Sequence, residues 1–164
     1  MTARKLGDVH IEVVGYEHPD SQLLIEALQQ DHLERYGERD VTPVDPAQFR
    51  EPHGRFLVGY LDGEPVASGC WRVRPADEPV LRDGDAELKR MFVAPGHRGK
   101  GLARRMLAEL ESSAALAGRK RMVLETGAEQ PEAIGLYEAC GYARIENFGT
   151  YREHAASRCF AKEL

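Results

Sequence analysis

The stretch "FVAPGHRGKGLARRMLAELE", residues 92–111, changes character twice along its length. Phe92-Val93 close an apolar, β-prone run, and Pro95 stops it because proline has no amide to donate to a ladder. A glycine-spaced turn follows, with Arg98, Lys100, Arg104 and Arg105 and no acid among them. From Leu102 onward Ala103, Met106, Leu107, Leu110, Ala114 and Ala117 recur at threes and fours, which predicts an amphipathic helix that Gly118 can close. A helix start presents unpaired N–H groups and a partial positive charge, so it attracts phosphate. Glycines at 99 and 101 remove the Cβ atoms that would hold an anion away from those amides. The stretch therefore reads as strand, anion-binding turn, helix.

Upstream, "HIEVVGY" (10–16) reads as a first strand, and Asp20 or Ser21 can cap a helix with Leu24, Ala27 and Leu28 on one stripe, ended by Gly37. Three prolines between 38 and 54 predict a loop with one short helix at "DPAQFR". "RFLVGYL" and "VASGCWRV" flank Asp62-Gly63, a hairpin turn signal because both positions tolerate positive φ. "AELKRMFV" (86–93) is the next strand. Downstream, "RMVLET" reads as a buried strand, Pro131 opens a short helix that Gly141 ends, and "YARIENF" and "SRCFAKEL" read as two final strands. Without repeats or a linker, the order predicts one mixed α/β domain over residues 1–164.

Composition bounds the partners. A net charge of −5 argues against a general nucleic-acid binder, so any anion site must arise from local arrangement. Three cysteines far apart, with no C-x-x-C pair, form neither a disulfide framework nor a zinc site, and the six histidines show no ligand spacing. The opening "MTARKLGDVHIEVVG" lacks the apolar stretch of a signal peptide, and no run approaches the roughly 20 apolar residues of a membrane helix. A cytoplasmic protein without metal, membrane or nucleic-acid partner is expected, with room for a homodimer.

Two nucleotide readings of the turn fail. A Walker loop needs a hydroxyl after Gly-Lys, where Gly101 stands. A dinucleotide fingerprint needs a small residue where Arg104 stands. Arg98-x-x-Gly101-x-Ala103 instead resembles the acetyl-CoA pyrophosphate loop of the Gcn5-related N-acetyltransferase (GNAT) family, Gln/Arg-x-x-Gly-x-Gly/Ala. "AELKRMFVAPGHRGKGLARRML" resembles that family's central strand, loop and helix, and "VLETGAEQPEAIGLYEACGY" its following strand and helix. The likeness covers about residues 86–142, and the N-terminal third carries none of it.

The resemblance implies a mostly antiparallel mixed sheet in which strands 86–93 and 121–126 run parallel and splay apart. It implies acetyl transfer from acetyl-CoA to a primary amine of a small molecule, amino acid or peptide by direct attack. A non-catalytic acyl-CoA sensor and a protein acetyltransferase, acting on a terminus or a lysine, stand as alternatives. The pyrophosphate would lie on Arg98, Gly99, Lys100, Gly101, Leu102 and Ala103, and the pantetheine arm along the edge of Met91, Phe92 and Val93. Attack needs a neutral amine, for which Glu87 is the first candidate base and His32, Tyr36 and Glu125 are others. Glu87 can equally be read as the ion-pair partner of a neighbouring Arg or Lys. Tyr137, in "LYEACGY", matches the family's general acid; a core aromatic is the competing reading, since Ile134 shares its helical face. Trp71 reads as core or pocket wall, and Cys140 as helix-end packing rather than a nucleophile.

Overall fold

The computed structural model describes residues 8–164. Residues 1–7, on which part of the signal-peptide reading falls, lie outside the described residues. Seven strands form one sheet: β1 (His10–Val13), β2 (Gly54–Leu61), β3 (Glu64–Val73), β4 (Asp85–Val93), β5 (Arg121–Gly127), β6 (Ala143–Ile145) and β7 (Ser157–Glu163). Their spatial order is β1-β2-β3-β4-β5-β7-β6. Every neighbouring pair is antiparallel except β4 and β5. Three helices complete the fold: α1 (Pro19–Tyr36), α2 (Leu102–Leu116) and α3 (Pro131–Ala139). This is the mixed, mostly antiparallel α/β sheet with one parallel central pair that the sequence predicts.

The apolar periodicity of α2 explains its place. Leu102, Met106, Leu107, Leu110 and Ala114 are buried together with Leu57, Ala67, Trp71, Leu88 and Met122 of the sheet. Each large side chain taken from water there contributes about 1.5–3 kcal/mol. Tyr137 and Tyr142 join the same cluster. A second cluster holds Leu24 and Ile25 of α1 against Phe49, Phe56, Cys70 and Phe92. Trp71 is core, and its indole N–H donates to Ser113 Oγ at 3.0 Å.

Local details depart from the sequence reading at two element ends. Helix α1 starts earlier than Asp20 or Ser21: His18 caps it, its Nδ1 accepting from the Asp20 amide at 3.0 Å. Pro19 at the first helical position makes that start favourable, since its fixed φ suits the helix and its missing N–H would be unpaired there anyway. Ser21 instead donates its hydroxyl to Gly15 O at 2.7 Å. The strand expected over 142–148 shortens to Ala143–Ile145, because Phe148 turns into the interior beside Leu81 and Val123.

Two features of β4 position the functional site. At its start, Asp85, Ala86 and Glu87 pair in parallel with Arg121, Met122 and Val123. A buried bidentate ion pair locks this end: Arg121 donates Nε to Asp85 Oδ1 and Nη2 to Asp85 Oδ2, both at 2.8 Å. Beyond Glu87 the pairing stops and the two strands splay. Further along, Cys70 stands opposite Lys89 and Ser68 opposite Phe92, so Gly69 alone faces Arg90 and Met91. That is a β-bulge, and Arg90 takes a positive φ of 55° to make it.

Candidate active site

The splay opens a cavity of about 190 Å³ between β4, β5, α1 and α3. Lys89, Arg90 and Met91 line it from β4, Glu125 and Thr126 from β5, His32 and Tyr36 from α1, and Tyr137 from α3. Tyr151, His154 and Ser157, from the segment leading into β7, complete one wall. A hydrogen bond from the Val41 amide to Tyr151 Oη, 2.9 Å, ties that segment to the loop after α1.

Tyr137 is at once a core side chain and part of the cavity wall. Its ring packs edge-on against Tyr142, with centroids 5.6 Å apart, and only 6% of the residue is exposed. It nevertheless lines the cavity, and burial raises its phenol pKa well above the ordinary value, so it stays protonated.

Glu87 lies elsewhere. It is buried, accepts from Arg72 Nε at 2.9 Å, and has Arg74 and Lys89 each at 3.8 Å. It is absent from the cavity lining, and three cations crowd its carboxylate. Two half-buried carboxylates line the cavity. Against the desolvation that burial brings, hydrogen bonds from Thr42 and the charges of Lys89 and Arg90 hold the Asp40 carboxyl below its ordinary pKa. The other is Glu125, ranked below Glu87 on sequence. Desolvation pushes its pKa up to about 7, with Glu87 and Asp40 adding to the rise. Lys89 and a hydrogen bond from Ser157 Oγ, at 3.3 Å, oppose it. Nothing in "VLETG" distinguishes Glu125 from any strand-end acid; its environment comes from segments distant in sequence.

The basic turn forms a separate part of the site. Gly101 caps α2 with φ 83°, and no side chain bonds the first turn. The first hydrogen bond into the helix runs from Arg105 N to Gly101 O, so the amides of Leu102, Ala103 and Arg104 point out of the helix end without helical partners. Leu102 buries its side chain in the core and offers only its backbone. Gly99 and Lys100 are exposed, Ala103 is half-buried, and a Cβ at Gly99 would meet nothing within 4 Å. Arg98 turns back: its Nε donates to Val93 O at 2.7 Å and its guanidinium lies 5.5 Å from the Phe92 ring centroid. Phe92 is buried in the α1-side cluster, so it too offers its backbone rather than its side chain. No group of three or more His, Cys, Asp or Glu residues suited to a metal ion occurs among the described residues. Nor is any helix among them long and apolar enough to cross a membrane.

An open strand edge, an uncapped glycine-rich helix start and a cavity between splayed parallel strands form one combination, carried by a fold that known proteins share. The model of the acetyltransferase (GNAT) family matches residues 22–142. An IAA acetyltransferase of Azospirillum brasilense is 35% identical over 157 residues, 92% of this chain and 97% of that protein. A Klebsiella pneumoniae structure, assigned as an acyl-CoA N-acyltransferase, superposes with TM-score 0.77 at 27% identity, covering 95% of this chain and 97% of that one. The PaiA N-acetyltransferase of Thermoplasma acidophilum, solved with coenzyme A, shares the fold at TM-score 0.69 and 14% identity, over 95% and 99% of the two chains. With its motifs, topology and relatives in agreement, this chain belongs to the GNAT family of acetyltransferases.

Proposed function

We propose that the protein transfers an acetyl group from acetyl-CoA to the primary amine of a small acceptor held in the cavity, with Glu125 as the general base and Tyr137 as the general acid. The observation that carries this reading is the pairing of roles in one cavity: a carboxylate poised near neutrality and a phenol held protonated. The fit of the cosubstrate rests on the uncapped amides of residues 102–104, the open surface at Gly99 and the unpaired edge of β4 beyond Glu87. Arg98, Lys100 and those amides would hold the pyrophosphate, and Met91 to Val93 would align the pantetheine arm. The cavity's small volume favours a small acceptor over a polypeptide segment.

Bound acetyl-CoA supplies an activated thioester. Glu125 takes one proton from the acceptor ammonium, freeing the lone pair for attack. As the carbon–nitrogen bond forms and the carbon–sulfur bond breaks, Tyr137 gives its proton to the departing sulfur. The second proton lost by the amine restores the phenol. Glu125 releases its proton to solvent, so the reaction yields one amide, one thiol and one proton.

Glu125→Gln tests the base. Wild-type kcat/KM should rise with pH and level off above about 7, because the carboxylate must be ionised to act. The variant should lose about 10²–10⁴-fold at neutral pH and recover only as solvent deprotonates the amine. Glu87→Gln should keep the plateau and move the midpoint only downward, because the Glu87 charge is one of the causes that raise the Glu125 pKa. A wild-type profile with no inflection near 7, or an unchanged profile in Glu125→Gln, removes Glu125 from the role.

A further inference from the structure

The bulge in β4 does something a regular strand cannot. Successive residues of a strand point to opposite faces, yet Lys89 and Arg90 both line the cavity on the α1 side. Their ionic neighbours agree, since Lys89 Nζ lies 3.8 Å from Glu87 Oε2 and Arg90 Nη1 lies 3.7 Å from Asp40 Oδ2. Both separations exceed hydrogen-bond length. Arg90 is 8% exposed, and its buried Nε has no hydrogen-bond partner. Burying a guanidinium so loosely paired is costly unless a partner arrives. The positive φ of Arg90 adds backbone strain at the same residue.

The neighbouring acids do not supply that partner. Glu87 bonds Arg72, and Asp40 spends one oxygen on the Thr42 amide at 2.9 Å. Arg74 is matched by Asp77 and Glu78. Asp40 is then the one acid left to Lys89 and Arg90, a deficit of one negative charge that an ionised Glu125 covers only while no cationic group of a ligand claims it.

We propose that the acceptor is an amino-acid-type zwitterion, its carboxylate received by Lys89 and Arg90 and its amine directed to Glu125. This rests on the reading that the cavity receives the acceptor, and it names the chemical class. A single carboxylate matches the excess charge, and a guanidinium and a carboxylate are complementary in geometry. A cationic polyamine would instead set a second positive charge beside the two already present.

The test compares matched acceptors: the twenty L-amino acids, then L-leucine and L-phenylalanine against their carboxamides and against isoamylamine and phenethylamine, scored by thiol release. At least one amino acid should exceed its carboxamide and its decarboxylated amine by about tenfold or more in kcat/KM, since a site built to pair a group rejects the analogue lacking it. Lys89→Gln should bring that ratio toward one by raising KM for the amino acid. Arg90→Gln should do the same, with calorimetry of coenzyme A binding reporting whether the bulge survives. Amines lacking a carboxylate used as well as, or better than, amino acids would overturn the proposal. Should the protein fail to bind coenzyme A, the acetyltransferase reading of the site falls instead. Calorimetric titration of the amino acids alone then decides the carboxylate subsite, and no heat of binding from any of them overturns it.

Discussion

The two ends of β4 hold the same sheet by opposite means. From Asp85 to Glu87 the strand is hydrogen-bonded on both sides, to β3 and to β5, and its charges are neutralised at contact distance by Arg121 and Arg72. From Lys89 to Val93 it pairs with β3 alone, carries a bulge, and leaves Lys89 and Arg90 loosely paired beside a cavity. One end is satisfied and the other is poised. The difference shows where the strand's charges are satisfied within the fold and where they are left loosely paired.

Each end can be broken separately. The largest expected effect is at the open end: Tyr137→Phe should lower turnover by about 10²–10⁴-fold, the range for a positioned acid. The ring contacts with Tyr142 and Phe160 survive the change, so the melting temperature and acetyl-CoA affinity should hardly move. Near-wild-type turnover would return Tyr137 to a purely packing role.

At the closed end, Asp85→Ala should cost about 3–5 kcal/mol in denaturant unfolding, because Arg121 is left charged and buried without its partner. Loss of less than 1 kcal/mol would mean that water reaches Arg121 and that the parallel pairing does not depend on this ion pair. Between the ends, Gly69→Ala should cost about 1–3 kcal/mol as overpacking. A Cβ there would lie 2.6 Å from both Leu110 Cδ1 and Met91 Sδ, so those side-chain ends must move aside within the core. If the bulge sets the spacing of Lys89 and Arg90, the same variant should also raise KM for the acceptor. A stability loss with unchanged KM would separate the bulge from acceptor binding.

The smallest effect is a pH dependence of stability. A carboxyl whose folded pKa is raised binds its proton more tightly in the folded protein. Its cost is absent below the unfolded value near 4.5 and complete above about 7. Wild type should therefore lose stability relative to Glu125→Gln as pH rises from 4.5 to 7, measured by unfolding at both limits. Parallel curves for the two proteins would mean that Glu125 is not held out of water.

Much of this protein is written locally in its sequence. The periodicity of residues 102–117 determines a helix with one apolar face, Asp62-Gly63 determines a hairpin, and Gly99 and Gly101 determine a turn that exposes backbone amides. Each depends on neighbours within a few positions, and so does the family resemblance, which rests on contiguous motifs. Tertiary structure decided which of the two strand acids lines the cavity. Glu87 and Glu125 look alike as residues of two adjacent strands, and they differ because Arg72, Arg74 and Lys89 surround one while segments from α1, α3 and the approach to β7 desolvate the other. The bulge that turns Lys89 and Arg90 to one face was equally hidden, since "ELKRMFV" alternates well enough to pass for a regular strand. Its register is fixed across the ladder by Cys70, Gly69 and Ser68 of a different strand. Local sequence sets backbone preference, whereas charge state and side-chain direction follow from what distant segments bring within a few ångströms.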